Sequence, residues 1–174
     1  HMTYMDHVPA QKRAASYLQH VMKEFPKGRF LVAGHSKGGN LATYACSYLP
    51  DSLFERVDTI YSYDAPGLNK AIIETEGYQR TSPNIRRFVP QGSIVGMMLE
   101  VPEPTTIVKS HAFGGFAQHD AFTWETKDLS FLTVTETSPD SQQTDLTLKQ
   151  WVRETSAEER KKFFDTFFGI FLDA

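Results

Sequence analysis

Disulfides have no part in this chain, because its single cysteine, Cys46, leaves nothing to pair with internally. Long apolar runs are also missing: none approaches the about 20 residues that a membrane span requires. Basic residues are not in excess. The 18 Lys and Arg against 21 Asp and Glu leave a formal net charge of −3, which speaks against a nucleic-acid partner. The short run Arg160-Lys161-Lys162 sits beside Glu158 and Glu159 and reads as a solvated helix face. No secretory leader is visible. His1-Met2 reads as an expression remnant, so the natural start is expected to lie upstream; the expected location is cytoplasmic. Repeats and Pro/Gly/Ser-rich linkers are lacking too, so residues 3–174 read as one domain, large enough for a core of its own. Hydrophobic residues at 40% and charged residues at 22% fit a soluble globular domain.

Against this background one segment stands out. The apolar run Arg29-Phe30-Leu31-Val32-Ala33 is followed at once by Gly34-His35-Ser36-Lys37-Gly38 and then by the small-residue stretch Leu41–Cys46. A strand, a Gly-x-Ser-x-Gly turn and a helix make a nucleophile elbow, in which a sharp turn lifts a serine hydroxyl above the end of a sheet. Gly34 and Gly38 are expected to be glycines because a side chain at either would crowd the strand or the helix. The helix N-terminus behind Ser36 offers unpaired N–H groups and partial positive charge, which suits the oxyanion of a tetrahedral intermediate. The Lys37 N–H is the expected donor. Cys46, on the same helix, reads as a small buried side chain.

The rest of the chain alternates. Pro9 opens a helical pattern through Ala14, Leu18, Val21, Met22 and Phe25, which Pro26 and Gly28 close. Strands are predicted over Arg56–Tyr63, Ile85–Val89, Thr105–Lys109 and Phe131–Thr135, with a helix over about Lys70–Glu76. The stretch Ser93–Leu99 is ambiguous between helix and strand, and Thr137–Thr144 reads as a polar loop. A capping box, Ser156-x-x-Glu159, starts a final helix with Phe164, Phe167, Phe168 and Phe171 on one face. This order predicts an α/β domain with a mostly parallel sheet and helices on both faces. In such sheets ligands meet the carboxyl ends of the strands, and Ser36, Asp64 and His119 all fall at or after predicted strand ends.

A serine hydroxyl needs a base, and the base needs an acid to orient it. His119, in a loop bearing Gly114 and Gly115, is preferred as the base, with His111 in competition. His35 neighbours Ser36 and reads as a brace for the loop. For the acid, Asp64 closes the strand after the elbow strand, just ahead of Pro66-Gly67. Asp120 adjoins His119 too closely to face its ring easily, and Asp58 lies within or before the strand.

The segments Gly34–Ala42, Tyr63-Asp64-Ala65-Pro66-Gly67, Ser93-Ile94-Val95-Gly96 and Gln118-His119-Asp120 together resemble the bacterial Mbeg-like α/β-hydrolases, uncharacterised relatives of the class 3 lipases. The resemblance runs from about Val8 to about Trp124. It implies an α/β-hydrolase fold and serine hydrolase chemistry, with Ser36 and His119 on the motif positions, and it implies no particular substrate. The chain departs from the class 3 pattern in two ways. Those lipases place their acid where Ser93 stands here, so the acid is expected at Asp64, as in the pancreatic-type lipases. Such folds also carry strands upstream of the elbow, so the chain is expected to be the carboxyl-terminal part of a longer domain.

The expected activity is therefore cleavage of an acyl ester by Ser36, His119 and Asp64, lipase- or esterase-like, without metal or organic cofactor. Thioesterase and acyltransferase chemistry would use the same residues. The rival expectation is a non-catalytic binding or assembly module on the same fold. The aromatic face at Phe164–Phe171, together with a sheet edge left bare by missing upstream strands, predicts self-association. Light scattering at micromolar concentration checks it: the expected outcome is a mass above that of one chain, and a monomer throughout would refute it.

Overall fold

The computed structural model describes residues 7–99, 101–156, 158–160 and 162. Helix α1 (Pro9–Glu24) leads into strand β1 (Phe30–His35), helix α2 (Lys37–Ser47), a short helix α3 (Asp51–Phe54) and strand β2 (Val57–Tyr63). Two short helices follow, α4 (Lys70–Ile73) and α5 (Glu76–Thr81), then β3 (Ile85–Pro90) and β4 (Thr105–Val108). Helix α6 (Gly115–Gln118) precedes the small strands β5 (Thr126–Lys127), β6 (Ser130–Phe131) and β7 (Thr133–Val134), and α7 spans Pro139–Glu154.

The main sheet has the order β1-β2-β3-β4-β7. Its first four strands are parallel and β7 is antiparallel to β4, while β5 and β6 pair separately as a hairpin. The register sets Val32 beside Ile60, and Ile60 beside Ile85. These side chains share one face, where Met22 of α1 and Ala42 and Cys46 of α2 close over them. A second cluster packs Ala15 of α1 against Tyr44 and Ala45 of α2, with Ile72, Ile73 and Tyr78 of α4 and α5. The opposite face carries aromatic rings instead. Tyr63 and Phe88 stack at 5.6 Å, and Trp124 and Phe131 from the hairpin region lie 6.2 and 6.3 Å from Tyr63. At β1 that face is open, and Leu31 is 66% exposed. Cys46 has no exposure, and burial pushes its thiol up to about 12.

Polar side chains tie these layers. Gln11 of α1 accepts from the Val8 N–H at 3.0 Å and donates to Asn40 Oδ1 at 2.9 Å; Asn40 Nδ2 in turn donates to the Gly67 carbonyl at 2.7 Å. Helix α1, the elbow helix and the turn after β2 are thus locked by one buried chain of amides. Arg56 finishes α1 from outside, donating to the carbonyls of Met22, Phe25 and Gly28.

Three sequence readings change. The single strand expected over Phe131–Thr135 is broken at Leu132, with β6 paired to β5 and β7 to β4. The helix expected over about 70–76 is two helices, split where the Thr75 side chain accepts from the Tyr78 N–H and starts α5 afresh. The polar stretch read as a loop, Thr137–Thr144, contains the start of α7. Ser138 caps it by accepting from the Ser141 N–H, Pro139 occupies the first turn, and Asp140 adds favourable charge there. The ambiguous Ser93–Leu99 is mostly irregular, with one 3-10 turn over Val95–Met97. The Ser156–Glu159 capping box is present, with the Ser156 N–H donating to Glu159 at 2.8 Å and the Glu159 N–H to Ser156 Oγ at 3.3 Å. The aromatic residues Phe164, Phe167, Phe168 and Phe171 lie outside the described residues. Among the described residues no helix is long and apolar enough to cross a membrane.

The amide chain predicts that Asn40→Ala lowers unfolding free energy by about 2 kcal/mol, because it strands the Gln11 amide and the Gly67 carbonyl. Urea denaturation should show this, with the exposed Ser16→Ala as the unaffected control. Native Cys46 should resist iodoacetamide at pH 8 and react only in urea, as mass spectrometry of the alkylated chain would report.

Candidate active site

Ser36 stands between β1 and α2 with φ 55° and ψ −129°, a conformation that L-residues rarely adopt. Such strain costs about 1–3 kcal/mol and persists only where the surroundings enforce it. Here they do: the Ser36 N–H donates to the Tyr63 carbonyl at 2.9 Å, and the Ser36 carbonyl accepts from the Gly39 N–H at 3.0 Å. The glycines explain the tightness, though not as expected at both positions. A Cβ on Gly34 would lie 2.2 Å from the carbonyl group of Gly38. A Cβ on Gly38 would meet nothing within 4 Å, so the expectation of crowding there is wrong. The second constrained glycine is Gly39, where a Cβ would come within 2.6 Å of Ala65 Cβ and 2.8 Å of the Gly34 carbonyl. Position 38 points outward from the first turn of α2, whereas position 39 faces the strand.

Lys37 is the first residue of α2, and among the described residues its N–H has no acceptor, as befits a helix N-terminus. The Ser36 hydroxyl likewise has no hydrogen-bond partner among the described residues; no bond closes between it and His119.

Asp64 follows β2 immediately, with φ 42° and no exposure. Its Oδ2 lies 2.7 Å from His119 Nδ1. Its Oδ1 accepts from Ser93 Oγ at 2.5 Å and from the Gly96 N–H at 3.0 Å. Three donors therefore meet a carboxylate that water does not reach, which is what a buried ionised group requires. With its proton on Nδ1 and shared with Asp64, His119 keeps a free lone pair on Nε2 and can accept a proton from a hydroxyl. The loop holding His119 is fixed at several points. Trp124 Nε1 donates to the Gln118 carbonyl at 2.8 Å, and Gln118 Oε1 accepts from the Gly92 N–H at 2.8 Å. The His35 ring lies 4.5 Å from that of His119, and His35 Nε2 is 2.7 Å from the His119 carbonyl, so His35 braces this loop.

The competing residues lie elsewhere. Asp120 turns its carboxylate to the Phe122 N–H at 3.0 Å and caps a short turn. Asp58 pairs with Arg29, whose hydrogen bond, aided by its charge, holds the Asp58 carboxyl below its ordinary value. His111 is exposed, and its N–H donates to the Thr123 carbonyl at 3.1 Å. A cavity of about 720 Å³ between β3, β4 and α7 is lined by residues such as Val89, Ile107 and Leu146; neither Ser36 nor His119 lines it.

Sequence reasoning did not find Ser93 or Gly96 as donors to Asp64. One signal was available, a glycine inside the apolar run Ile94–Leu99. A Cβ on Gly96 would lie 2.5 Å from Asp64 Oδ1 and 2.7 Å from Ser93 Oγ.

A mostly parallel sheet with an elbow serine at the end of its edge strand defines an α/β fold of the hydrolase type. The sequence model of the Mbeg1-like family matches residues 1–169, and the chain belongs to that family. Among solved structures it is similar to a lipase from Rhizopus microsporus var. chinensis, with a TM-score of 0.42 and 18% identity over 76% of this chain and 45% of that one. The chain thus spans less than half the length of that lipase. No curated protein matches.

The glycine geometry predicts that Gly34→Ala and Gly39→Ala fail to fold cooperatively. Gly38→Ala should keep or slightly raise the Tm, since alanine favours helix by about 1 kcal/mol. Thermal unfolding of the three variants checks this.

Proposed function

We propose that this chain is a serine hydrolase acting on an acyl ester, of the lipase or esterase type. The observation that carries the reading is a strained serine at a strand-to-helix turn, together with a histidine hydrogen-bonded to a buried carboxylate at the end of the neighbouring strand. In this reading Ser36 Oγ attacks the acyl carbonyl while His119 Nε2 takes its proton. The carbonyl oxygen becomes an oxyanion facing the Lys37 N–H at the start of α2. His119 then returns the proton to the leaving alcohol. Water repeats the sequence to release the acid and restore Ser36. Asp64 stays ionised throughout and stabilises the imidazolium by its hydrogen bond to Nδ1. A thiol ester would react in the same way, and an alcohol in place of water would make the chain an acyltransferase.

A fluorophosphonate probe tests the reading directly. The expected outcome is one covalent adduct on Ser36, absent in Ser36→Ala. No adduct on the folded protein would favour a non-catalytic module. With a p-nitrophenyl ester as substrate, Asp64→Asn is expected to lower kcat by about ten-thousand-fold, the scale of a triad aspartate. Asp120→Asn should stay close to the parent rate, since its carboxylate serves a local turn.

A further inference from the structure

Arg87 lies on β3 with only 5% of its surface exposed. A buried guanidinium needs acceptors and counter-charge, and this one takes its hydrogen bonds from unexpected places. Nη1 donates to the Ala65 carbonyl at 2.8 Å, and Nη2 donates to the Gly96 carbonyl. Both acceptors belong to residues that hold Asp64: Ala65 follows it in the chain, and the Gly96 N–H donates to its Oδ1. The neighbouring residue Phe88 accepts from the Asp64 N–H at 2.7 Å. Strand β3 thus grips the carboxylate's surroundings at three main-chain points. Among the described residues no direct hydrogen bond joins Arg87 to a carboxylate. Glu103, also buried, is occupied by the hydroxyls of Tyr78 and Ser82. Burial lowers the Arg87 pKa, while attraction to Asp64 and Glu103 opposes that shift.

We propose that Arg87 is a positioning residue for the Asp64–His119 pair: its guanidinium clamps the two segments that cradle the carboxylate, and it sets a fixed cation near that carboxylate. The proposal rests on the reading of Ser36, His119 and Asp64 as a triad. Among the described residues the charged or titratable groups facing this unit are few. His119 meets Asp64 and the His35 ring, with Asp120 turned away to its own turn; Arg87 meets Asp64, Glu103 and Tyr78. A cation near the pair disfavours a second positive charge there, so its removal is expected to move the acidic midpoint of the rate up, and removal of the Glu103 charge to move it down. A role confined to folding would reduce rate or stability and leave that midpoint where it was.

The test measures kcat/KM for a p-nitrophenyl ester across pH, together with an NMR titration of the His119 ring. In Arg87→Met we expect a loss of about tenfold or more, with the acidic midpoint moved up by about half a pH unit. Arg87→Lys keeps the charge and loses the fork, so the rate should fall with the midpoint unmoved. Glu103→Gln keeps an oxygen acceptor for Tyr78 and Ser82, so its plateau rate should hold while the midpoint moves down. An unmoved midpoint in both Arg87→Met and Glu103→Gln, or a raised one in Arg87→Lys, would overturn the proposal. Where Arg87→Met does not fold, the other two variants decide. A parent protein that cleaves no ester and takes no fluorophosphonate would refute the triad instead, and the ring titration would still report on Arg87.

Discussion

Asp64 is a carboxylate without exposure, and a charge so placed survives only where donors replace the water it has lost. That requirement reaches far along the chain. It brings the 93–96 turn under β2 so that Ser93 and Gly96 can donate, and it draws His119 across from a segment 55 residues away. It accounts for glycine at 96, where a methyl group would fall 2.5 Å from the carboxylate. Asp64 itself takes a positive φ of 42° where the main chain leaves β2. Helix α7 joins the same network at one remove, since Ser141 Oγ donates to the Ser93 carbonyl at 2.6 Å.

The elbow is the second constraint, and it is coupled to the first. Gly39 must pass Ala65 closely, so the residue after Asp64 and the third residue after Ser36 are packed against each other. Asn40 then reaches the carbonyls of Pro66 and Gly67 at 3.3 and 2.7 Å, joining the elbow helix to the turn that follows the acid. A shift in either turn would therefore be felt in the other. This coupling allows two turns on adjacent strands to hold a stable relative geometry although both are strained.

Much of the fold was legible because its signals are local. The apolar run at Phe30–Ala33, the glycines around Ser36 and the alternation of strands with helical patterns all express short-range rules of period, turn and cap. Some misreadings were cases where one local signal outweighed another. Polarity suggested a loop over Thr137–Thr144, yet Ser138-Pro139 is a helix start, and capping prevailed over composition. At Thr75 a threonine side chain divided a helix that periodicity alone would have continued. At Gly38 the motif suggested crowding, but the direction of a Cβ on the first turn of α2 is a matter of three-dimensional placement.

The amino-acid sequence by itself determined the α/β class, the elbow around Ser36 and the positions of the candidate residues after strand ends. Each of these follows from periodicity, glycine freedom and turn chemistry within a few residues. Only the tertiary structure decided which histidine and which aspartate meet. Asp64, Asp120, His111 and His119 carry the same chemical groups along the chain, and what separates them is which strand ends the sheet order makes neighbours. The support around the pair was equally hidden. Ser93, Gly96, Arg87 and Gln118 come from segments remote in sequence, and their hydrogen bonds form only when parallel pairing of β2, β3 and β4 sets those segments side by side.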